Sequence, residues 1–366
     1  MTDIKNLLID PENMEPYMSH FKDYEEEMKK NLVNEKFWKE KRILITGVSG
    51  FVGSHLADKL TELGAETYGF VRRHSVPEYQ NINHLKNKIN LIEGNFLDMS
   101  SIMNAIKQSD PHIIFHLGAQ SFVPTSFRCP IETIKTNTIG TSNVLEAMRK
   151  TENNIEKIQL AMTSEEYGLV KPEECPVNEN NPLRPMSPYG SSKIAAEYIA
   201  RTYYKAYGTP IVITRGFNHT GPRRGLQFVA SVIARQVASC IINKTNEITL
   251  GHGEAVRDFT DVRDMIQGYM LAVEKAKLAE PYNFGHGFGI TINNLAKLTG
   301  KIHNMDIKIN TDKSRFRPSE VELLICDYSK AKKELGYRPR IPINKTMLDL
   351  VEYFKQNKQL LNLERH

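Results

Sequence analysis

Tyr189 and Lys193 are the residue pair whose types and spacing most directly suggest chemistry. They are four positions apart on a segment whose pattern predicts a helix, so both side chains lie on one face, a turn apart. A lysine ammonium beside a phenol favours the phenolate and lowers its pKa from about 10. The pair is therefore a candidate for exchanging a proton with a sugar hydroxyl near neutral pH, the alternative being a solvated surface pair.

A second chemically informative segment is Ala161-Met-Thr163-Ser-Glu165-Glu-Tyr-Gly168, which follows an apolar stretch. That stretch predicts a strand, and the carboxyl edge of a parallel sheet is where ligands bind. Thr163 is placed there to hydrogen-bond a substrate oxygen, and Glu165 adds a carboxylate two residues later. We expect Glu166 to be a solvated charge, which leaves Glu165 as the candidate acid or base.

Three glycines spaced three residues apart, Gly47, Gly50 and Gly53, join an apolar strand pattern to a helical pattern. In a dinucleotide site the first permits a tight turn, the second lets the backbone approach a pyrophosphate, and the third lets the helix pack on the sheet. The phosphates would sit at the start of this helix, at Phe51 and Val52, where free N–H groups favour an anion. The segment predicts a dinucleotide site.

Together, the GxxGxxG spacing and the Tyr-x-x-x-Lys motif resemble the extended short-chain dehydrogenase/reductase superfamily. The likeness covers residues 41–356 and is strongest to the nucleotide-sugar branch. Thr163-Ser164-Glu165 before Tyr167-Gly168 is similar to the GDP-mannose 4,6-dehydratases, whereas dTDP-glucose dehydratases have Asp in place of Ser164. The related GDP-4-keto-6-deoxymannose reductases share much of the pattern.

The resemblance implies roles for the residues that match the family motifs. The implied catalytic residues are Thr163, Glu165, Tyr189 and Lys193. The implied cofactor-binding residues are Gly47, Gly50, Phe51, Val52, Gly53, Arg72, Arg73, Asp98, Leu117, Gln120, Tyr189 and Lys193. The implied substrate-binding residues are Asn218, Arg223, Arg257, Arg317 and Glu320. Within these sets the resemblance assigns Asp98 to the adenine amine, and Arg317 with Glu320 to guanosine diphosphate.

The end of the second predicted strand indicates which nicotinamide cofactor is bound. It reads Gly69-Phe-Val-Arg72-Arg73, without the acidic residue that accepts the ribose 2′-hydroxyl of NAD. Two arginines there suit a 2′-phosphate, so we predict NADP in preference to NAD. The alternatives are that both arginines are surface charges or lie at a subunit interface.

Three functional hypotheses remain open at this stage. A dehydratase would convert GDP-mannose to GDP-4-keto-6-deoxymannose: Tyr189 takes the C4 hydroxyl proton, Lys193 holds the resulting charge, Glu165 removes the C5 proton, and hydride taken from C4 returns to C6. A reductase would consume NADPH at a 4-keto group, and Glu165 would then have no role. A regulatory module that had lost catalysis would not need Thr163, Tyr189 and Lys193 together.

Several positions depart from the dehydratase pattern. The first turn reads Gly-Phe-Val-Gly where those enzymes usually have Gly-Gln-Asp-Gly, and the segment from Arg257 to Asp264 is closer to the reductases. Arg72-Arg73 and Pro222-Arg223-Arg224-Gly225 are similar to the dehydratases. The resemblance therefore favours the dehydratase and keeps the reductase as its alternative.

From residue 42 onward, predicted strands alternate with predicted helices, which is typical of an α/β fold with a doubly wound parallel sheet. We predict a Rossmann-type cofactor domain over residues 41–215 and a smaller mixed substrate domain over 216–366, with segments crossing between them. Residues 1–40 have a helical apolar period and predict a helical extension that packs on the domain surface or on a partner subunit.

Composition excludes several functional classes. The 366 residues are 40% hydrophobic and 25% charged, without an apolar run long enough for a membrane span. A net charge of +5 without a basic run and stacking aromatics argues against nucleic-acid binding and for a small anionic ligand. Four scattered cysteines and no signal-peptide pattern predict a cytoplasmic protein without a metal site. The resemblance implies a homodimer or homotetramer.

Overall fold

The computed structural model describes residues 4–74, 79–151, 153–316 and 321–361. Its strands, numbered in chain order, are β1 (Arg42–Thr46), β2 (Glu66–Val71), β3 (Asn90–Glu93), β4 (Ile113–His116), β5 (Lys157–Thr163), β6 (Ile211–Gly216), β7 (Asn218–Thr220), β8 (Glu247–Leu250), β9 (Val256–Asp261), β10 (Pro281–Phe284), β11 (Gly289–Thr291), β12 (Lys308–Thr311) and β13 (Leu323–Leu324).

Its α-helices are α1 (Glu15–Met18), α2 (Tyr24–Met28), α3 (Glu35–Trp38), α4 (Phe51–Glu62), α5 (Met99–Ser109), α6 (Val123–Arg128), α7 (Pro130–Ile134), α8 (Gly140–Lys150), α9 (Pro188–Tyr207), α10 (Val229–Asn243), α11 (Val262–Lys275), α12 (Ile292–Ile302), α13 (Ser329–Leu335) and α14 (Ile343–Gln356). A π-helical turn, Lys135–Ile139, joins α7 to α8.

The main sheet of the described residues has seven parallel strands in the order β10-β6-β5-β4-β1-β2-β3. The chain runs outward from β1 to β3, then returns to the other side of β1 to form β4. In such a sheet the crevice at the reversal, beyond the carboxyl ends of β1 and β4, is the ligand site. The predicted doubly wound α/β fold is confirmed.

Successive side chains of the central strands point to opposite faces of the sheet, and both faces are buried. Ile43 and Ile45 of β1 face one hydrophobic cluster, which contains residues of α4 and α11. Leu44, between them, faces a second cluster, which contains residues of α5, α8 and α9. The strands therefore read as continuous apolar runs, because helices cover the sheet on both sides.

The predicted glycine turn connects β1 to α4. Gly47 has φ +72°, and a Cβ there would lie 2.9 Å from the Cα of Gly118. A Cβ on Gly53 would lie 2.3 Å from the Gly47 carbonyl oxygen, so any larger side chain would push α4 away from the turn. These two glycines bring the start of α4 close to the ends of β1 and β4.

The second half of the chain divides its strands between two modules. β9 pairs with β7, β11 and β13, and this smaller sheet adjoins a core formed with α10, α12 and α14. In contrast, β10 pairs with β6 as an edge strand of the main sheet, and α11 packs against that sheet. Residues beyond 216 therefore contribute to both modules.

The N-terminal segment is a series of short helical turns that packs on its own chain. Tyr17 and Phe21 are buried in the core of the smaller module. The Tyr17 hydroxyl lies 3.1 Å from Nε2 of His286 and accepts a hydrogen bond from the backbone N–H of Ile343. Trp38 is buried in the core of the larger module, so the segment spans both.

Trp38 is expected to contribute more to stability than any surface residue of this segment. It is 0% exposed, and its indole N–H donates to Glu274 Oε1 at 2.6 Å. Trp38→Ala should lower the free energy of unfolding by about 3–5 kcal/mol, because it leaves a cavity in the core. It also removes one of the two hydrogen bonds that Glu274 Oε1 accepts, the other coming from the Asn34 backbone N–H. Urea denaturation followed by circular dichroism tests this. Ile242→Ala, at a 42% exposed position, is the control, and an equal loss in both variants would contradict the assignment.

Candidate active site

A cavity of about 640 Å³ opens at the carboxyl ends of the central strands. It extends from the glycine turn after β1 to the segment that follows β5, and α9 supplies part of its wall. A volume in this range suits a bound organic ligand. The cavity joins the glycine motif to the candidate catalytic side chains, which the sequence separates by more than a hundred positions.

Most residues assigned to the cofactor line this cavity. They are Gly47, Gly50, Phe51, Val52, Gly53, Arg72, Leu117, Gln120, Tyr189 and Lys193. Because α4 begins at Phe51, the positive end of its dipole faces the cavity. The backbone cradle, the cationic Arg72 and the helix terminus fit a dinucleotide with a pyrophosphate.

Two residues assigned to the cofactor take other positions in the described part of the chain. Asp98 is exposed, and its carboxylate caps α5 by accepting a hydrogen bond from the backbone N–H of Ser100 at 3.0 Å. Asp98 is absent from the cavity lining, which instead includes Asn95 and Leu97. Arg73 is exposed and also lies outside the lining. Neither side chain supports the assignment that the resemblance implied.

Thr163 and Glu165 lie where β5 ends and a 3₁₀ turn begins. Thr163 is buried, and its hydroxyl accepts a hydrogen bond from the backbone N–H of Glu165 at 3.3 Å. Thr163 also makes a side-chain hydrogen bond with Tyr189. The half-buried Glu165 lines both the main cavity and a smaller one beside it. Thr163 and Tyr189 therefore form one hydrogen-bonded unit, with a carboxylate at its edge.

The expected lowering of the Tyr189 pKa by Lys193 is wrong for this structure. Burial raises the pKa of the Tyr189 phenol, although the Thr163 hydrogen bond and the charge of Arg224 oppose the shift. Lys193 donates to the carbonyl oxygen of Ala161 at 2.7 Å, and burial lowers the pKa of its ammonium to about 8. The dominant effect at both groups is loss of hydration, which disfavours each charged form.

Glu166 is not the solvated charge that its sequence position suggested. It is 0% exposed, and Oε1 accepts a hydrogen bond from the backbone N–H of Thr163 at 3.0 Å. Oε2 lies 3.4 Å from Nε of Arg215, which itself is buried. The 3₁₀ turn directs Glu166 inward and leaves Glu165 facing the cavities.

In the Pro222-Arg223-Arg224 segment, Arg224 lines the cavities and Arg223, the residue predicted to bind substrate, does not. Arg223, the predicted substrate ligand, has φ +69° and pairs with Asp58 at 2.7 Å, away from both cavities. Arg224 lines both cavities, and its guanidinium lies 3.5 Å from the ring centre of Phe228. Burial lowers its pKa to about 10. Arg224 is thus the cation at the junction of the cavities.

Of the four other residues predicted to bind substrate, two line the cavities and two lie outside the described residues. Asn218 lines both cavities, and Arg257 lines the smaller one, of about 200 Å³. Arg315 and His252 also line the smaller cavity. Arg224, Arg257 and Arg315 make this lining basic, which suits an anionic ligand, and Glu165 lines the same cavity. Arg317 and Glu320 lie outside the described residues.

Several residues of the main cavity had no role assigned from sequence, among them His219, Arg224 and Tyr269. His219 stacks on Phe51 at a centroid distance of 6.0 Å, and burial lowers its pKa to about 3, so it stays neutral. Tyr269 is buried on α11, more than seventy positions after Tyr189. The Asn218-His-Thr-Gly-Pro-Arg-Arg segment contained a signal for the first two, whereas Tyr269 lies in an ordinary amphipathic helix.

Two negative findings apply to the part of the chain that the structure describes. It contains no cluster of three or more His, Cys, Asp or Glu side chains arranged to hold a metal ion. None of its helices has the length and apolar character needed to cross a bilayer.

Comparison with known proteins identifies the family. Residues 44–350 match the family described as GDP-mannose 4,6 dehydratase. The GDP-mannose 4,6-dehydratase of Yersinia enterocolitica is 31% identical, with 85% of this chain and 93% of that protein covered.

Two solved structures have a similar fold. UDP-glucose 4-epimerase of Thermotoga maritima with UDP-glucose has a TM-score of 0.78 and 30% identity, covering 86% of this chain and 99% of the other. RMD of Pseudomonas aeruginosa complexed with NADPH has a TM-score of 0.75 and 25% identity, covering 87% and 99%. With the glycine turn and the Thr163, Tyr189 and Lys193 group, these matches indicate a nicotinamide cofactor and a nucleotide-sugar substrate. The chain belongs to the GDP-mannose 4,6-dehydratase family, within the extended short-chain dehydrogenases/reductases that modify nucleotide sugars.

Proposed function

We propose that this protein is a GDP-mannose 4,6-dehydratase that forms GDP-4-keto-6-deoxymannose with tightly held NADP. The observation that carries the proposal is the position of Glu165. Its carboxylate lies at the junction of the two cavities, beside the hydrogen-bonded Thr163 and Tyr189. A 4-keto reduction needs no such base, whereas removal of the C5 proton does.

The proposed reaction uses the chain's own side chains for its proton transfers. Tyr189, hydrogen-bonded to Thr163, takes the C4 hydroxyl proton as the alcohol becomes a ketone. The ketone acidifies the C5 hydrogen; Glu165 removes that proton and delivers it to the C6 hydroxyl, which leaves as water. Tyr189 then returns the proton it took from the C4 hydroxyl to C5 as C6 is reduced. Lys193 lines the same cavity, where its ammonium donates to the carbonyl oxygen of Ala161 at the end of β5. A nicotinamide cofactor bound along Gly47, Gly50 and Arg72 would supply a reversible hydride acceptor, so that C4 is oxidised, C6 is reduced and no cofactor is consumed overall.

The charge at Arg72 supports NADP over NAD. Arg72 lines the cavity at the end of β2, where the ribose of the adenosine half would lie, whereas Arg73 does not line it. His74 lies on the same wall. A 2′-phosphate would give Arg72 a charge-assisted hydrogen bond that NAD cannot offer.

Arg72→Ala should therefore weaken NADP binding by about 10- to 100-fold, the equivalent of losing one charged hydrogen bond. NAD binding should change little, because that cofactor has no 2′-phosphate. Titration of cofactor-free protein with both nucleotides by calorimetry measures the two constants. Arg73→Ala is the matched control with the same lost charge. If Arg73→Ala weakened NADP binding more than Arg72→Ala, or if Arg72→Ala weakened NAD binding as much as NADP binding, Arg72 would not be the source of the preference for NADP.

A second candidate function is the NADPH-dependent reduction of a 4-keto sugar nucleotide. The observation in its favour is the raised pKa of Tyr189, because a neutral phenol can donate its proton to a carbonyl oxygen. The same Thr163, Tyr189 and Lys193 would serve this reaction.

The proposed function is tested by product mass and cofactor balance. Purified protein is incubated with GDP-mannose, with and without added NADPH, while the reduced-nicotinamide absorbance is followed. Loss of one water without net NADPH consumption is the expected result. Absence of reaction with GDP-mannose, together with NADPH oxidation on its 4-keto-6-deoxy derivative, would identify the reductase.

The proposed assembly is a homodimer or homotetramer. Ile131, Ile134 and Ile139 are at least 41% exposed on the helical segment that precedes α8, and Tyr198 is 58% exposed on α9. Apolar side chains grouped in this way are typical of a protein contact surface. Light scattering coupled to gel filtration gives the mass of the assembly.

A further inference from the structure

Glu166 is a buried carboxyl group behind the active site that the proposed reaction does not use. It is 0% exposed and, among the described residues, is absent from the lining of both cavities. A buried acid is costly unless its oxygens have partners. The partners of Glu166 therefore indicate what it does.

One oxygen of Glu166 holds the backbone of Thr163. Oε1 accepts from the Thr163 backbone N–H at 3.0 Å, while the Thr163 hydroxyl accepts from the Glu165 backbone N–H at 3.3 Å. Since that hydroxyl already accepts from Glu165, its own hydrogen is available for Tyr189. The side chain of Glu166 and the turn of Glu165 together fix Thr163 in front of Tyr189.

The other oxygen lies against a buried ion pair. Arg215 donates from Nε and Nη2 to the two oxygens of Glu197, at 2.9 Å and 2.7 Å, and from Nη1 to the Tyr167 hydroxyl at 3.0 Å. Oε2 of Glu166 lies 3.4 Å from Arg215 Nε but accepts no hydrogen bond from it. Burial and the neighbouring Glu197 raise the pKa of Glu166. Glu166 therefore packs against the buried Arg215–Glu197 pair, which lies behind the end of β5.

We propose that Glu166 is a positioning residue for Thr163, whose buried carboxyl holds the end of β5 so that the Thr163 hydroxyl meets Tyr189. This inference rests on the proposed function only in the use of Thr163 and Tyr189 at a sugar C4 oxygen. It assigns Glu166 no contact with substrate or cofactor.

Two variants separate the position of the carboxyl from its ability to ionise. Glu166→Gln keeps the acceptor at the same reach from the Thr163 N–H and places an N–H donor towards Glu197. Glu166→Asp keeps the acid but withdraws the acceptor by one methylene. We expect Glu166→Gln to keep kcat close to the wild-type value and Glu166→Asp to lower kcat by up to about 100-fold, as a displaced reacting group does. KM, cofactor content and melting temperature should change little in either variant.

Glu174→Asp is the matched control. Glu174 also accepts from the backbone N–H three residues earlier, that of Lys171 at 2.9 Å, but in a 3₁₀ turn remote from both cavities. The kcat of Glu174→Asp should equal that of the wild-type protein.

Either of two results would overturn the proposal: full kcat in folded Glu166→Asp, or an equal loss of kcat in folded Glu166→Gln. If Glu166→Asp does not fold, the kcat of Glu166→Gln still tests the proposal by itself. If the wild-type protein fails to dehydrate GDP-mannose, the proposed function fails. The same comparison then uses NADPH-dependent reduction of the 4-keto sugar, so the two failures are distinguishable.

Discussion

Glu165→Gln should lower the rate of water loss from GDP-mannose by about 10²- to 10⁴-fold, the usual contribution of a general base. The carboxylate lies at the junction of the two cavities, where the C5 hydrogen of a substrate sugar would be placed. Gln has the same shape but cannot accept the proton. Oxidation at C4 depends on Thr163 and Tyr189, so it should survive. Rapid-mixing absorbance in the reduced-nicotinamide band, paired with product mass, measures the two steps separately.

The control for this experiment is Glu173→Gln. Glu173 is an exposed carboxylate on the loop that follows the same strand, outside both cavities. The substitution Glu173→Gln removes the same charge as Glu165→Gln and should leave turnover unchanged. Full dehydration by Glu165→Gln would remove Glu165 from the reaction and with it the observation that favours a dehydratase.

Tyr189→Phe should lower kcat by about 10²- to 10⁴-fold for either proposed reaction, because the phenolic proton is the one exchanged with the C4 oxygen. The ring is buried and its hydroxyl is hydrogen-bonded to Thr163, so Phe preserves the packing of the ring while removing the hydroxyl. Substrate affinity, measured by calorimetry on the inactive variant, should change much less than kcat.

Tyr203→Phe is the matched control for the loss of a phenol from the same helix. Its hydroxyl donates to Glu146 at 3.1 Å, away from the main cavity. It should retain wild-type kcat. If Tyr189→Phe also retained wild-type kcat, the proton would have to come from another group, and Tyr269 would be the first candidate on the cavity wall.

The parts of the site that were predictable from sequence are those encoded by short local patterns. Gly47 and Gly53 are restricted by backbone contacts within a single strand-turn-helix unit, so their spacing alone reports the geometry. Tyr189 and Lys193 are one helical turn apart, and the helix places both on the cavity. The doubly wound parallel sheet, though not its strand order, followed equally from alternating strands and helices.

The parts that could not be predicted depend on contacts between distant segments. Glu166 faces inward because Arg215, almost fifty positions later, is buried beside it. Arg224 reaches the cavity and Arg223 does not, because the backbone at Arg223 is left-handed and its side chain pairs with Asp58. Neither choice is visible in a Pro-Arg-Arg-Gly motif.

The pKa expectation failed for the same reason. The Tyr-x-x-x-Lys spacing fixes which face of the helix the two groups share, but desolvation depends on how deeply the helix is buried. Burial raises the pKa of Tyr189 and lowers that of Lys193 to about 8. Asp98 caps α5 in this structure, a role that an Asp directly before a helix commonly takes.

The fate of the C4 hydrogen tests the central claim most directly. GDP-mannose deuterated at C4 is converted by the purified protein, and the product is analysed by NMR and mass spectrometry. An internally recycled dehydratase predicts deuterium at C6 of the 4-keto product, with no NADPH consumed. Unlabelled C6, or a product that forms only as NADPH is oxidised, would contradict the dehydratase account.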